Sequence, residues 1–301
     1  MTDRISDNTA MPEALPPSPT REMLWRATGH IGFLIGLTIF LTVLIFAIFA
    51  PWIAPHDPYA QDLTRALEPP VWADGGSWGH ILGTDNLGRD NFSRLVYGAR
   101  VTMIAGVGAT LFSAVLGTAI GVIGGYYGGR IDAAMMFLIN VKLAMPGILI
   151  ALSLVSIFGG SLLVVTLILG FLFWDRFAVV TRTATQQLRN MEFVVAAEVA
   201  GASRFRILFI EILPNLTNHI IVVASLEMAL AILVEASLSF LGLGIQPPMP
   251  SWGLMISEAR TLMFTNPHLI MLPGMAIFTL VVGINLMGDG LRDITTPQGR
   301  G

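Results

Sequence analysis

The chain has 301 residues, of which 54% are hydrophobic and only 12% are charged. A soluble globular domain carries about 25% charged residues, so this composition argues against a soluble protein and predicts a chain that crosses a membrane several times. The formal net charge of -3 excludes no class of partner, while the absence of cysteine excludes a disulfide framework and thiol chemistry.

A polar, proline-rich segment at 1–25 opens the chain and is typical of a disordered tail. Because a membrane span needs about 20 mostly apolar residues, six later segments are predicted to be spanning helices. These spans cover, in chain order, 26–50, 102–126, 132–158, 162–181, 219–242 and 268–289. A long loop at 51–98 follows the first span, another at 182–218 follows the fourth, and a tail at 294–301 ends the chain. The sequence therefore predicts an all-α polytopic membrane protein.

Arginine placement predicts the orientation of these spans. With the N-terminus inside, eleven arginines fall on the inner side of the membrane and five on the outer side. Positively charged residues concentrate in cytoplasmic loops, so both termini and the loop at 182–218 are predicted to be cytoplasmic. Arg176, in the fourth predicted span, is counted here with the inner side. The loop at 51–98 then lies outside.

The outer loop contains the sequence "GTDNLGRDNFSRLVYGAR" at 83–100. Asp90 is predicted to cap a short helix over 91–97, because an aspartate before an apolar periodic run favours a helix start. Turn and cap roles account for Asp85 and Asp90, so no metal site is predicted there. Trp252, which follows a proline-rich loop, is predicted to anchor the chain at the outer membrane interface.

The cytoplasmic loop contains "AAEVAGASRFRILFIEILPN" at 196–215. Residues 191–200 favour a helix, Gly201 interrupts it, and Pro214 is predicted to end a second helix. The apolar face of that second helix is predicted from residues that recur at i, i+3, i+4 and i+7, namely Phe205, Leu208, Phe209 and Ile212. Two interpretations stay open: a helix lying on the inner leaflet, or a docking helix for a cytoplasmic partner.

The sequence predicts no residues for covalent chemistry. Its one lysine, Lys142, does not lie in a G-x-x-x-x-G-K-[ST] motif, so this chain has no P-loop for ATP. The five histidines are scattered without metal-binding spacing. Any dependence on ATP must therefore come from a partner.

Four motifs in order resemble the permease subunits of bacterial binding-protein-dependent ABC importers, in the dipeptide, oligopeptide and nickel branch. The cytoplasmic loop resembles the E-A-A-x-x-x-G loop of that family, with Ala196, Ala197 and Gly201 in place and Val195 where the family has its first Glu. The other three are 83–100, "AILVEASLSFLGLGIQPPMPSWGLM" at 231–255 and "LPGMAIFTLVVGINLMGDGLRD" at 272–293.

The resemblance implies a type I ABC importer permease with six transmembrane helices and a permease core at 99–293. It implies that the cytoplasmic loop couples the permease to ATPases through Glu192, Val195, Ala196, Ala197, Gly201, Ala202, Ser203, Arg204, Leu213 and Pro214. The implied partners are a second homologous permease, two cytoplasmic ATPases that carry ATP and Mg, a periplasmic substrate-binding protein and inner-membrane lipid. No cofactor, metal or nucleic acid is expected on this chain. The implied activity is transport of di- or oligopeptides, with each permease forming half of the pathway.

Three charged residues, Lys142, Glu227 and Glu235, fall within predicted spans. Intramembrane charges are costly and are usually functional or paired. Similar depths permit a Lys142–Glu227 ion pair; alternatively, each side chain faces the second permease or a wet cavity. Glu235 is expected to organise the outer gate or packing, and Pro146 is predicted to kink the third span.

Three other interpretations of the sequence stay open. The same machinery could carry nickel or another small solute. A protein of a different class, an ATP-independent secondary transporter, would use Lys142, Glu227 and Glu235 and would contain inverted repeats; none is clear in the sequence. A structural or assembly protein without a transport pathway is the remaining alternative.

Overall fold

The computed structural model describes residues 27–295. The predicted tail at 1–25 and all but two residues of the predicted tail at 294–301 lie outside this range. The described chain is helical, and its β pairing is limited to an isolated bridge between Thr84 and Asp90. Five helices are long and apolar enough to cross a membrane, or six if one sharply bent pair forms a single span. The predicted all-α membrane bundle is confirmed.

Twelve α-helices are defined in the described part of the chain. They are α1 (Ile31–Ile48), α2 (Ala50–Ile53), α3 (Asn91–Tyr127), α4 (Gly129–Leu143), α5 (Gly147–Phe158), α6 (Leu162–Leu172), α7 (Trp174–Leu188), α8 (Glu192–Val199), α9 (Arg204–Arg206), α10 (Leu213–Phe240), α11 (Trp252–Ala259) and α12 (His268–Thr295). Single 3₁₀ turns cover Leu63–Arg65 and Arg260–Leu262, and a π-helical segment, Ile207–Ile212, joins α9 to α10.

Helix α3 begins at Asp90, whose Oδ2 accepts a hydrogen bond from the Ser93 amide at 2.7 Å. The predicted cap is therefore confirmed, but the predicted short helix at 91–97 is wrong. These residues are the first turns of a helix of 37 residues. The helix continues through Gly98. The Trp252 ring occupies the space that a side chain at Gly98 would need.

Trp252 is not an interfacial anchor. Its side chain is buried, and its indole Nε1 donates a hydrogen bond to the carbonyl oxygen of Leu95 at 2.8 Å. The absence of a side chain at Gly98 leaves room for the ring against α3. Trp252 thus ties α11 to the N-terminal end of α3.

Helix α3 is the centre of the bundle and packs against α1, α6, α7 and α10, while α12 packs against α1, α10 and α11. Small residues allow the helices to approach closely in lipid. Gly121 and Gly125 of α3 leave no room for a side chain against α7, and Gly36 of α1 leaves none against α12. Ile232, Leu280 and Ile284 are fully buried between α10 and α12.

Helices α4 and α5 meet at an angle of 82°. The break contains Pro146, which caps α5 and has no backbone N–H to continue the hydrogen bonding of α4. The predicted kink in the third span is confirmed. The next span, α6 and α7, is interrupted only at Phe173 and passes as one helix, Leu162–Leu188.

Candidate coupling surface and intramembrane charges

The cytoplasmic loop predicted from the sequence is a helix, a tight turn and a second helix. Helix α8 ends where the amides of Gly201 and Ala202 donate to the carbonyls of Glu198 and Ala197, both at 3.0 Å. Gly201 has φ +79°, a conformation that glycine adopts without strain. Ser203 then caps α9, since its Oγ accepts a hydrogen bond from the Arg206 amide at 3.3 Å. A side chain at Gly201 would point into open space.

One face of this loop is fixed to the inner ends of α3 and α7. Its buried contacts form one apolar cluster of Val122, Ala184, Val194, Ile207, Ile212 and Leu216. The Tyr126 hydroxyl donates to Glu198 Oε1 at 3.1 Å, and Arg189 Nη1 donates to the carbonyl of Gly125 at 3.1 Å. The loop is therefore held rigidly against the bundle.

The opposite face exposes apolar side chains. Val199 is 85% exposed and Phe205 is 70% exposed, and Val195 and Phe209 are also exposed. The rings of Phe205 and Phe209 lie 4.3 Å apart, centroid to centroid. Exposed apolar side chains of this kind mark a surface that contacts another protein or the membrane.

The predicted apolar face of the second helix is divided between exposed and buried positions. Phe205 and Phe209 are exposed, whereas Ile207 and Ile212 are fully buried. The π-helical segment Ile207–Ile212 has a wider turn, which shifts residues relative to a period of 3.6. The regular repeat therefore identified the helix but did not show which of its apolar residues pack against the bundle.

The sequence predicted that Pro214 ends the second helix, and this prediction is wrong. The helix continues as one span, Arg204–Phe240, with Pro214 in the first turn of α10. A proline ring clashes with the carbonyl four residues earlier and lacks an N–H donor. The π-helical segment immediately before Pro214 opens the backbone at the point where that clash would fall, so the helix passes through.

The structure brings most of the predicted coupling residues together and separates two of them. Glu192, Val195, Ala196 and Ala197 lie on α8, and Gly201, Ala202, Ser203 and Arg204 form the turn. Leu213 and Pro214 lie beyond the π-helical segment. Leu213 lines an apolar cavity of about 630 Å³ between α3 and α10. Contact of any of these residues with an ATPase stays a prediction.

The predicted Lys142–Glu227 ion pair is wrong. Lys142 Nζ contacts Asp175 Oδ1, and Arg176 Nη1 lies 3.0 Å from Glu227 Oε1. Sequence reasoning overlooked Asp175 and counted Arg176 with the cytoplasmic side, although both fall inside the predicted span at 162–181. Their position in an apolar span was the signal that would have identified them.

These four residues lie within the predicted membrane spans, and Arg176 is five residues from the end of the predicted span at 162–181. At about 1.5 Å of rise per residue, Arg176 and Glu227 are both about 20 Å from the ends of their spans at Leu162 and Phe240. The Glu227 side chain is 1% exposed and the Asp175 side chain is 3% exposed, whereas the Arg176 side chain is 56% exposed. Among the described residues, Arg176 is the salt-bridge partner of the Glu227 carboxylate.

Glu235 lies apart from this group, near the other end of α10. It is fully buried, and its Oε1 accepts a hydrogen bond from Ser239 Oγ at 2.8 Å. The same Ser239 Oγ accepts from the Ile245 amide at 3.1 Å. Glu235 therefore organises the end of α10 and the loop that follows, while its part in gating stays a prediction.

A second charged network joins the loop before α3 to α11. Arg89 Nε lies 2.7 Å from Asp85 Oδ2, and Arg89 Nη2 lies 3.0 Å from Glu258 Oε2. Arg94 contacts Asp85 as well, and its Nη2 lies 2.6 Å from Glu258 Oε2. The predicted turn role of Asp85 is confirmed, since its Oδ1 accepts from the amides of Leu87 and Arg89. The sequence gave no sign that Glu258 completes the network.

The fold also brings His56 and His80 to Asp90. His80 Nδ1 lies 2.9 Å from Asp90 Oδ1, and His56 Nδ1 lies 3.8 Å from Asp90 Oδ2. Three such groups resemble a metal site, but Asp90 Oδ2 already caps α3 and the Arg65 guanidinium lies 3.5 Å from His80 Nε2. Because Asp90 already accepts a helix-capping hydrogen bond and a guanidinium lies beside His80, these three groups are better explained as a structural network than as a metal site.

Comparison with known families decides what kind of membrane protein this is. A family model described as a binding-protein-dependent transport system inner membrane component matches residues 117–298, and one described as the N-terminal TM domain of oligopeptide transport permease C matches residues 18–70. The chain belongs to this family of transport permeases. The family is the membrane component of ABC importers, generally non-catalytic, and it implies ATPase and substrate-binding-protein partners. The several long apolar helices of this chain agree with a multi-pass protein of the inner membrane.

Curated relatives match over nearly their whole length. The dipeptide transport permease DppC of Haemophilus influenzae is 42% identical over 94% of this chain and 96% of its own. The di/tripeptide permease DppC of Pseudomonas aeruginosa is 38% identical, covering 95% of each chain. The glutathione permease GsiD of Pectobacterium atrosepticum is 39% identical over 93% of this chain and 92% of its own.

A solved structure shows the same fold at low sequence identity. A chain from inward-facing structures of the MetNI methionine ABC transporter aligns with a TM-score of 0.55 and 16% identity. The alignment covers 67% of this chain and 97% of that one. The predicted type I importer permease fold is therefore confirmed.

Proposed function

We propose that the chain forms half of the translocation pathway of an ATP-driven importer for di- or oligopeptides. The observation that supports this most directly is the set of relatives matched end to end, whose names specify dipeptide, di/tripeptide and glutathione transport. Membership of the permease family argues against ATP-independent secondary transport. Nickel or another small solute is the alternative cargo.

The partners follow from the same proposal. A second homologous permease completes the pathway, a periplasmic binding protein delivers the peptide, and two cytoplasmic ATPases bind ATP and Mg. The exposed apolar face of Val195, Val199, Phe205 and Phe209 is suited to an ATPase groove because the loop behind it is anchored to α3 and α7. ATP-driven closure of the ATPases would then move the bundle through this loop.

The proposed orientation places both termini in the cytoplasm. Removing Arg176 from the inner count leaves ten arginines inside and five outside, so the charge bias that predicts this orientation persists. The loop at 51–98 then faces the periplasm, where the binding protein docks.

The test is uptake of labelled dipeptide, a longer peptide and nickel in cells that lack this chain, compared with the same cells carrying the gene on a plasmid. We expect peptide uptake to be lost and to return on complementation. A complementing copy of the chain that lacks 192–204 should reach the membrane and restore nothing. Selective loss of nickel uptake would replace the peptide cargo, and unchanged uptake of all three would overturn the peptide importer assignment.

A further inference from the structure

Arg176 places an exposed positive charge within a predicted membrane span. Its side chain is 56% exposed, although it lies midway along Leu162–Leu188. A charged side chain facing hydrocarbon is strongly disfavoured, so such residues face a water-filled cavity or another protein. The exposed side of Arg176 therefore marks where this subunit borders something polar.

The neighbouring charges leave Arg176 only partly neutralised. Lys142 and Asp175 form a closed pair, in which the Lys142 side chain is 20% exposed and that of Asp175 is 3% exposed. Glu227 contacts Arg176 from one side, with its Oε1 3.0 Å from Nη1. A guanidinium carries five N–H donors in a planar fork, so most of the donors of Arg176 remain free on its exposed side.

The geometry points to Arg176 as a contact for the terminal carboxylate of the peptide as it crosses the membrane. This inference rests on the proposed peptide transport. A planar guanidinium matches a carboxylate with two parallel hydrogen bonds, and every unmodified peptide ends in that group. Glu227 is the positioning residue, because its buried carboxylate holds the guanidinium while weakening its positive field.

A weak contact of this kind suits a transport pathway. Conduction requires binding that is favourable enough for entry and weak enough for release. The four charges Lys142, Asp175, Arg176 and Glu227 sum to zero, so the site attracts a carboxylate locally without a strong net field. Because this site carries no net positive charge, it does not repel the positively charged amino group of the peptide.

The experiment uses the complete transporter, with its binding protein and ATPases, in proteoliposomes. Uptake is measured for a labelled dipeptide and for the same dipeptide with a C-terminal amide, at equal loading of the binding protein. In Arg176→Gln we expect dipeptide uptake to fall about tenfold, the loss of one charge-assisted hydrogen bond, while amide uptake is unchanged. The ratio of dipeptide uptake to amide uptake should thus approach one in Arg176→Gln. In Arg176→Lys this ratio should stay above one but below that of the unmodified transporter.

The matched control is Lys142→Gln combined with Asp175→Asn, which removes the closed pair at similar depth and leaves the sum of the charges at zero. We expect it to change uptake of both peptides by the same factor. An unchanged preference in Arg176→Gln, including amide uptake undetectable in both proteins, would overturn the inference. If the unmodified transporter takes up no peptide at all, the proposed function fails instead, so the two failures are distinguishable.

Because the chain contains no cysteine, Arg176→Cys provides a second measurement. Aminoethyl methanethiosulfonate restores a positive charge, and the membrane-impermeant sulfonatoethyl reagent adds a negative one. We expect the first to restore the carboxylate preference and the second to abolish dipeptide uptake. Phe171→Cys, an exposed position in the same span, controls for reaction elsewhere. Failure of Arg176→Cys to react with either reagent would show that the position is not in a wet pathway.

Discussion

Gly201 combines two properties in one residue. Its φ of +79° closes the turn between α8 and α9, and the space beside its Cα is open. The positive φ is required by the turn, and the open space leaves room for a docking partner. Substitution separates the two, because asparagine and aspartate share a shape, tolerate positive φ and differ in charge.

We expect Gly201→Asn to insert normally and to lose part of ATP-driven uptake, and Gly201→Asp to lose nearly all of it. The added side chain stands in the docking surface, and the aspartate also carries a charge into it. Gly242, at the other end of α10, has φ +80° and equally open space, so Gly242→Asp is a matched control that should keep ATPase association. Pull-down of the ATPases and peptide uptake are measured for each variant. Normal association in Gly201→Asp would contradict the docking assignment.

Residue identity and spacing predicted some local features and missed others for physical reasons. The turn at Gly201, the cap at Asp90 and the kink at Pro146 depend on nearest neighbours, so the sequence predicted them. The partner of Lys142 depends on how four helices are rotated about their axes. Depth can be counted along a sequence, but the direction of a side chain on an apolar helix cannot, and two acids at similar depth were therefore indistinguishable.

At the scale of the element, the segment from α9 through the π-helical turn into α10 separates anchoring from exposed positions. Ile207 is 1% exposed within the apolar cluster, and Phe205, two residues earlier, is 70% exposed. An ideal period of 3.6 placed Phe205 and Ile212 on the same apolar face, although Phe205 is exposed and Ile212 is buried. The local π-helix, required by Pro214, is a property of the backbone that hydrophobic periodicity does not reveal.

We expect Ile207→Ala to destabilise the permease by about 2–5 kcal/mol, since it leaves a cavity in a packed cluster. Phe205→Ala should change stability by less than about 0.5 kcal/mol, because the ring is exposed, yet should weaken ATPase binding. Thermal unfolding in detergent and ATPase pull-down are compared for the two variants. Equal destabilisation by both substitutions would contradict the assigned buried face.

At the scale of the whole molecule, the overall architecture was the most predictable feature. Span number follows from hydrophobic length, and orientation from arginine counts, neither of which requires knowledge of contacts. The tertiary networks were not predictable, since Asp85 and Glu258 meet only after helices far apart in sequence have packed. The sequence thus predicted the helical bundle and the side of the membrane on which the ATPases are expected. The structure supplied the charged contacts within the bundle.

Orientation is testable because the chain offers a cysteine-free background. Phe264, in the loop before α12, is 88% exposed, and Val199, on the cytoplasmic loop, is similarly exposed. We expect Phe264→Cys to react with an impermeant maleimide in spheroplasts, and Val199→Cys to react only after the membrane is permeabilised. The reverse pattern would invert the topology, and with it the side on which ATPases bind.

Helix α3 has a mechanical consequence. Its 37 residues extend about 55 Å, well beyond the roughly 30 Å hydrocarbon core. Arg94 fastens its first turns to α11, and Tyr126 fastens its last turn to the cytoplasmic loop. Because this helix is continuous and attached at both ends, we expect a tilt that displaces one end to displace the other in the opposite sense. Events on the two sides of the membrane would then be linked through one continuous helix.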